Sequence, residues 1–154
     1  MLSALKQSFL CFFEESDMSN KIYTINKIIR MQHCDPGGVV FTPQYFNLFV
    51  EAIEDWFREG IEFGFSQMVS RDHQGIPAMK IVAKFYKPSK LGDILEFRVK
   101  VKRLRRQNIL IHVEALCEEE RRCSADFLHG FASLNNLSLT DWPNDVHRKL
   151  AEYL

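Results

Sequence analysis

The carboxylate best placed for chemistry is Asp35, in the run His33-Cys34-Asp35-Pro36-Gly37-Gly38-Val39-Val40-Phe41-Thr42-Pro43-Gln44-Tyr45-Phe46. Pro36 fixes its own φ and drives Asp35 toward an extended conformation, while Gly37 and Gly38 let the chain turn tightly or pass close to a ligand. Thr42 followed by Pro43 signals a helix start: the threonine oxygen can accept from a first-turn N–H, and proline is tolerated where no intrahelical donor is needed. A carboxylate therefore stands seven residues ahead of a helix N-terminus, whose partial positive charge favours a developing anion.

The 154 residues fit one domain, and a chain of this size buries roughly 70% of its unfolded surface without needing staples. Lys+Arg and Asp+Glu both number 20, so no overall field draws in nucleic acid or an anionic membrane. Cys11, Cys34, Cys117 and Cys123 form no C-x-x-C pair or regular framework, which suits a reducing, cytoplasmic setting. Histidines 33, 73, 112, 129 and 147 lack the short spacings of a zinc site, so no metal is expected. The apolar patch Phe9 to Phe13 is too short to span a bilayer, and it lacks the basic start and small-residue cleavage site of a signal peptide. Residues 1–20 read as an N-terminal extension, and Met18 leaves open an extra helix or an upstream start codon for residues 1–17. Residues 21–154 read as the single domain.

From Tyr45 to Phe57 the polar positions fall on one narrow stripe at helical spacing, which predicts a mostly buried helix ending near Glu59. Ile22 to Gln32 reads as a strand, and Phe65 to Val69 as a short helical turn after the breaks at Gly60 and Gly64. Four strand-like runs follow, Ile76–Tyr86, Ile94–Arg103, Ile109–Cys117 and Arg122–Leu134, the second with Leu95, Phe97, Val99 and Val101 alternating against charged residues. Connections of about four to seven residues predict that successive runs are antiparallel neighbours. Asn144 to Tyr153 reads as an amphipathic helix on the sheet edge. Only a curved antiparallel sheet wrapped around the single long helix can bury that helix, so the expected fold is α+β of the hotdog type.

Asp35-Pro36-Gly37-Gly38-Val39-Val40-Phe41, Pro43 and Tyr45, followed by the aromatic helix, resemble the signature of the 4-hydroxybenzoyl-CoA thioesterase family. The likeness continues through Gly75-Ile76-Pro77, Tyr86-Lys87-Pro88, Leu91-Gly92-Asp93 and Arg105-Arg106, and so spans roughly residues 22–134. It implies a homodimer or homotetramer with sites between subunits, hydrolysing an acyl-CoA thioester to acid and CoA. No cofactor is implied, since coenzyme A belongs to the substrate.

Carried over residue by residue, the resemblance makes Asp35 the nucleophile or general base and the backbone N–H of Thr42 the oxyanion donor. It places Arg105 and Arg106 on the CoA phosphates, with Gln107 where certain relatives have a lysine and with Lys87 and Lys90 as weaker candidates. Phe41, Tyr45, Phe46 and Phe49 are candidates for the acyl pocket, against a plain core role. His33 reads as structural, and Cys34 has no cationic neighbour beyond His33 to activate its thiol. A hotdog dehydratase would carry a catalytic histidine on this loop, where the chain has Asp35. A non-catalytic acyl-binding or assembly module with an idle Asp35 stays open, and a thioester assay discriminates it.

Overall fold

The computed structural model describes residues 21–154, so the expected N-terminal extension lies outside the described residues. Strand β1 spans Tyr23–Ile28 and ends earlier than its apolar composition predicts. Ile29 still holds the register through its N–H bond to Asp93 O, and its carbonyl accepts from Gly92 N–H where the partner strand turns away, which ends the pairing. A short 3-10 turn, Met31–His33, then leads into the Asp35 loop.

Helix α1 covers Thr42–Glu59, 18 residues in all, with Tyr45, Leu48, Phe49, Ala52, Ile53, Trp56 and Phe57 buried. Val50 remains exposed and Phe46 half-buried, so one apolar stripe of the helix is not covered by its own sheet. After it come a π-helical turn at Gln67–Arg71 and a short strand, β2, at Gln74–Gly75. Pro77, which cannot donate to a ladder, separates β2 from β3 (Ala78–Phe85), so the run expected from Ile76 begins two residues later. Strands β4 (Ile94–Leu104), β5 (Asn108–Cys117) and β6 (Glu120–Gly130) form the meander. Two more short strands, β7 (Ala132–Ser133) and β8 (Ser138–Leu139), precede helix α2 (Asn144–Ala151).

The main sheet has the order β1-β4-β5-β6-β3, all neighbours antiparallel. This corrects the expected pairing of the first two strands of the second half. β3 lies beside β6 at the far edge, where Ile81, Ala83 and Phe85 register with Phe127, Ala125 and Cys123. The connection from Tyr86 to Asp93 crosses the end of the sheet to reach β4, and this crossing positions the site.

The sheet curls around α1 as the hotdog fold requires. Leu95, Phe97 and Val99 of β4 and Ile109, Ile111, Val113 and Ala115 of β5 are fully buried, following the period of two. Phe49 sits edge-on to Phe97 and Phe127, each 5.9 Å away between ring centres, and burying one such ring contributes about 2–3 kcal/mol. Helix α2 packs against β4, and the residue Tyr153 just beyond it closes the stretch of β4 that runs past the end of β1, the sheet-edge position expected. Tyr153 meets Trp56 at 5.2 Å and its carbonyl accepts from Val101 N–H.

β3 is unlike the other long strands because both of its faces are open: Met79, Ile81, Val82 and Phe85 are all exposed. No helix of the described residues is long and apolar enough to cross a membrane.

Candidate active site

The Asp35 loop is a tight, internally bonded turn. Asp35 N–H donates to Val39 O at 2.9 Å, Gly38 N–H donates to Asp35 O at 3.0 Å, and Gly37 N–H donates to the Asp35 carboxylate at 2.8 Å. Both glycines are needed for separate reasons. Gly38 takes φ +75°, a left-handed conformation, and a Cβ on Gly37 would lie 3.1 Å from Asp35 Oδ1. The carboxylate is half-buried, and Oδ1 carries the turn bond, which leaves Oδ2 without a partner among the described residues.

The helix start differs from expectation in a way that favours chemistry. The N-cap is Phe41, not Thr42; no side chain caps the first turn and no acidic residue lies in it. Pro43 has no N–H, and Gln44 N–H is already bonded to Phe41 O. The Thr42 N–H has no partner among the described residues. It is an orphan donor at the positive end of an 18-residue helix.

Backbone bonds from the crossing connection hold the loop against this helix. Val40 N–H donates to Ser89 O at 2.9 Å, Leu91 N–H donates to Gly38 O at 3.0 Å, and Val39 bridges to Lys90. His33 is buried, with Nδ1 accepting from Arg30 N–H at 3.0 Å and its carbonyl accepting from Phe41 N–H at 2.9 Å. Those bonds give it a structural task on the wall of the loop. Cys34 bridges to Val40, and none of the described cysteines 34, 117 and 123 is in a disulfide. Burial pushes the Cys123 thiol up to about 12, which makes it inert. No cluster of three metal-ligating side chains occurs among the described residues.

The chain as a whole has counterparts among known proteins. The model of the thioesterase-like superfamily matches residues 29–150, which contain the loop, the helix and the whole meander. The chain belongs to the thioesterase-like superfamily. A search of curated protein sequences gives no match. Among solved structures, a 1,4-dihydroxy-2-naphthoyl-CoA thioesterase from Synechocystis is similar at 17% identity and a TM-score of 0.77, covering 84% of this chain and 96% of that one. A gentisyl-coenzyme A thioesterase superposes with a TM-score of 0.74 at 18% identity, covering 84% and 99% of the two chains. A Staphylococcus aureus protein solved in complex with CoA gives a TM-score of 0.78 at 8% identity over 86% and 84% of the chains. At these identities the structures share the fold.

Within this superfamily member the remaining site residues fall into two groups. Phe41 is exposed and Phe46 half-buried beside the helix start, whereas Tyr45 and Phe49 are buried, Phe49 wholly so. Tyr45 turns its hydroxyl to Ser89 and its ring to Phe85, 5.5 Å away. Arg105 and Arg106 are not brought to Asp35 within one chain. They lie in the β4–β5 turn at the opposite end of β4, an 11-residue strand, or roughly 35 Å away at about 3.3 Å per residue. Arg106 pairs there with Asp141, to which Gln107 also donates at 2.8 Å. Lys87 is paired with Glu120.

Two participants have no sequence signal: Ser89, fully buried under the loop, and Arg122, whose guanidinium donates to Pro88 O and lies 3.6 Å from Asp93. Their partners are remote in the chain, so neither periodicity nor motif spacing points to them.

Proposed function

We propose that this protein hydrolyses a coenzyme A thioester to the free acid and CoA. The observation that carries the reading is the Thr42 N–H at the start of α1, without a partner among the described residues, beside a loop that presents the Asp35 carboxylate. A thioester carbonyl oxygen bound at Thr42 N–H would be polarised by the helix terminus, and its developing negative charge would meet a donor fixed before the reaction. Asp35 then serves in one of two ways. As general base it takes a proton from water as the water oxygen attacks the carbonyl carbon. As nucleophile its oxygen forms an anhydride that water later opens. In both routes the C–S bond breaks and the sulfur leaves as the CoA thiol.

A homodimer completes the site. Antiparallel pairing of β3 with its copy about a two-fold axis near Ile81 and Val82 would cover the open strand and bring the Ala78 end of one subunit to the Phe85 end of the other. Phe85 lies beside Tyr45 and Phe46 at the helix start, and Gln107, next to the arginines, accepts from Phe131 N–H near the Ala78 end. Arg105 and Arg106 of the partner subunit would then face Asp35 across the interface, in position for the CoA phosphates. The apolar groove lined by Phe65, Met68, Ile76, Pro77, Ala132 and Leu134, about 520 Å³, also lies at the Ala78 end. Its lining supports an acyl group without polar substituents. The reading places the enzyme in the cytoplasm, where CoA esters occur and its thiols stay reduced.

The test is release of CoA thiol from a panel of alkanoyl-, benzoyl- and 4-hydroxybenzoyl-CoA substrates. Turnover of one or more supports the reading, and apolar acyl groups should be preferred. Inactivity of the folded protein across the whole panel would contradict it and favour a binding module.

A further inference from the structure

Tyr45, three residues beyond Thr42, and Ser89, in the connection that crosses the sheet end, are 5% and 0% exposed. The Tyr45 hydroxyl donates to Ser89 Oγ at 3.0 Å and accepts from Ser89 N–H at 3.1 Å, so one side chain grips one residue at two points. The same Ser89 holds the carboxylate loop from its other side, through the bond from Val40 N–H to Ser89 O. Arg122 secures the preceding peptide by donating to Pro88 O, Lys90 N–H secures the following one by donating to the Asp93 carboxylate, and Leu91 N–H, one residue on, donates to Gly38 O. Ser89 is therefore the point where the first turn of α1 and the Asp35 loop are fastened to each other.

Packing alone does not call for the hydroxyl. A phenylalanine would fill the same space against Phe85, and a buried hydroxyl with no partner is costly, so the oxygen is retained for what it bonds. The Tyr45 hydroxyl, which burial pushes above its ordinary value, is protonated at neutral pH and free to donate.

The geometry points to Tyr45 and Ser89 as a positioning pair: their buried two-point contact fixes the carboxylate loop against the start of α1 and sets the separation of Asp35 from the Thr42 N–H. The role in rate rests on the thioesterase reading; the role in fastening the loop does not.

Tyr45→Phe removes both bonds and keeps the ring. With the best thioester, kcat is expected to fall about tenfold or more while KM changes less than about threefold, because binding surfaces are untouched and only reacting geometry is loosened. Amide hydrogen exchange at Val40 and Leu91 should speed up about tenfold or more, with Ile111 and Val113 in β5 unchanged. Ser89→Ala keeps the backbone N–H bond to Tyr45, so its loss should be smaller, and the double variant should be no worse than Tyr45→Phe. Retention of more than half of kcat by folded Tyr45→Phe, or loss of kcat with unchanged exchange at Val40 and Leu91, would overturn the pair. Should Tyr45→Phe not fold, Ser89→Ala decides: unchanged exchange at Val40 overturns the proposal and faster exchange upholds it. If no thioester is hydrolysed, the thioesterase reading falls while exchange still decides the fastening role in the same way.

Discussion

Asp35 illustrates how little room the proposed reactive carboxylate is given. Its Oδ1 is tied to Gly37 N–H, and a methyl group at Gly37 would crowd that oxygen at 3.1 Å, so Gly37→Ala should shift the carboxylate by a few tenths of an ångström. The expected result is a fall in kcat of about tenfold with little change in KM or melting temperature; unchanged kcat would show that Asp35 tolerates displacement. A second residue sets a pH limit. His129 is buried with Nδ1 against Ile76 O, and burial holds its pKa below the ordinary 6.5. The unfolded chain therefore binds a proton that the folded one resists, so stability is full above pH about 6.5 and declines as pH falls below it. Denaturant melts between pH 7 and 5 should show this decline, and His129→Phe should reduce it.

At the scale of elements, the β4–β5 turn carries a separable task. If the partner subunit's turn binds CoA phosphates, replacing Arg105 and Arg106 together by alanine should raise KM for an acyl-CoA with kcat nearly unchanged, and added salt should imitate the effect. An unchanged KM would move the phosphate site elsewhere, with Lys90, which has no salt-bridge partner among the described residues, the next candidate. The elements themselves were unequally legible in the sequence. The periods of β4, β5 and α1 name their inward residues, because Phe97, Ile111 and Phe49 must face the same core. The Asp35 loop was legible too, since Pro36, Gly37 and Gly38 restrict the backbone directly. The place of β3 was not: a short connection suggests a hairpin, and nothing between Tyr86 and Asp93 states that it crosses the sheet. The helix cap was misread for a related reason, as Pro43 is accepted one position further into the helix and Phe41 takes the cap with no side-chain bond. Ser89 was invisible because its value lies in tertiary bonds alone.

For the whole molecule, the open edge at β3 decides whether the site is complete. Light scattering at micromolar concentration should give a dimer or tetramer. Charges placed at Ile81 and Val82 on the two open faces (Ile81→Lys with Val82→Lys) should shift it to monomer and raise KM through loss of the partner's arginines. A monomeric wild type with full activity would contradict the shared site. All of this depends on one carboxylate doing chemistry, and Asp35→Asn tests that most directly because it keeps size and the Gly37 bond while removing the charge. With circular dichroism and oligomeric state matched to wild type, kcat for the preferred thioester should fall on the order of a hundredfold or more, about 3 kcal/mol of barrier, with KM little changed. A folded Asp35→Asn protein keeping more than about a tenth of wild-type kcat would contradict the account.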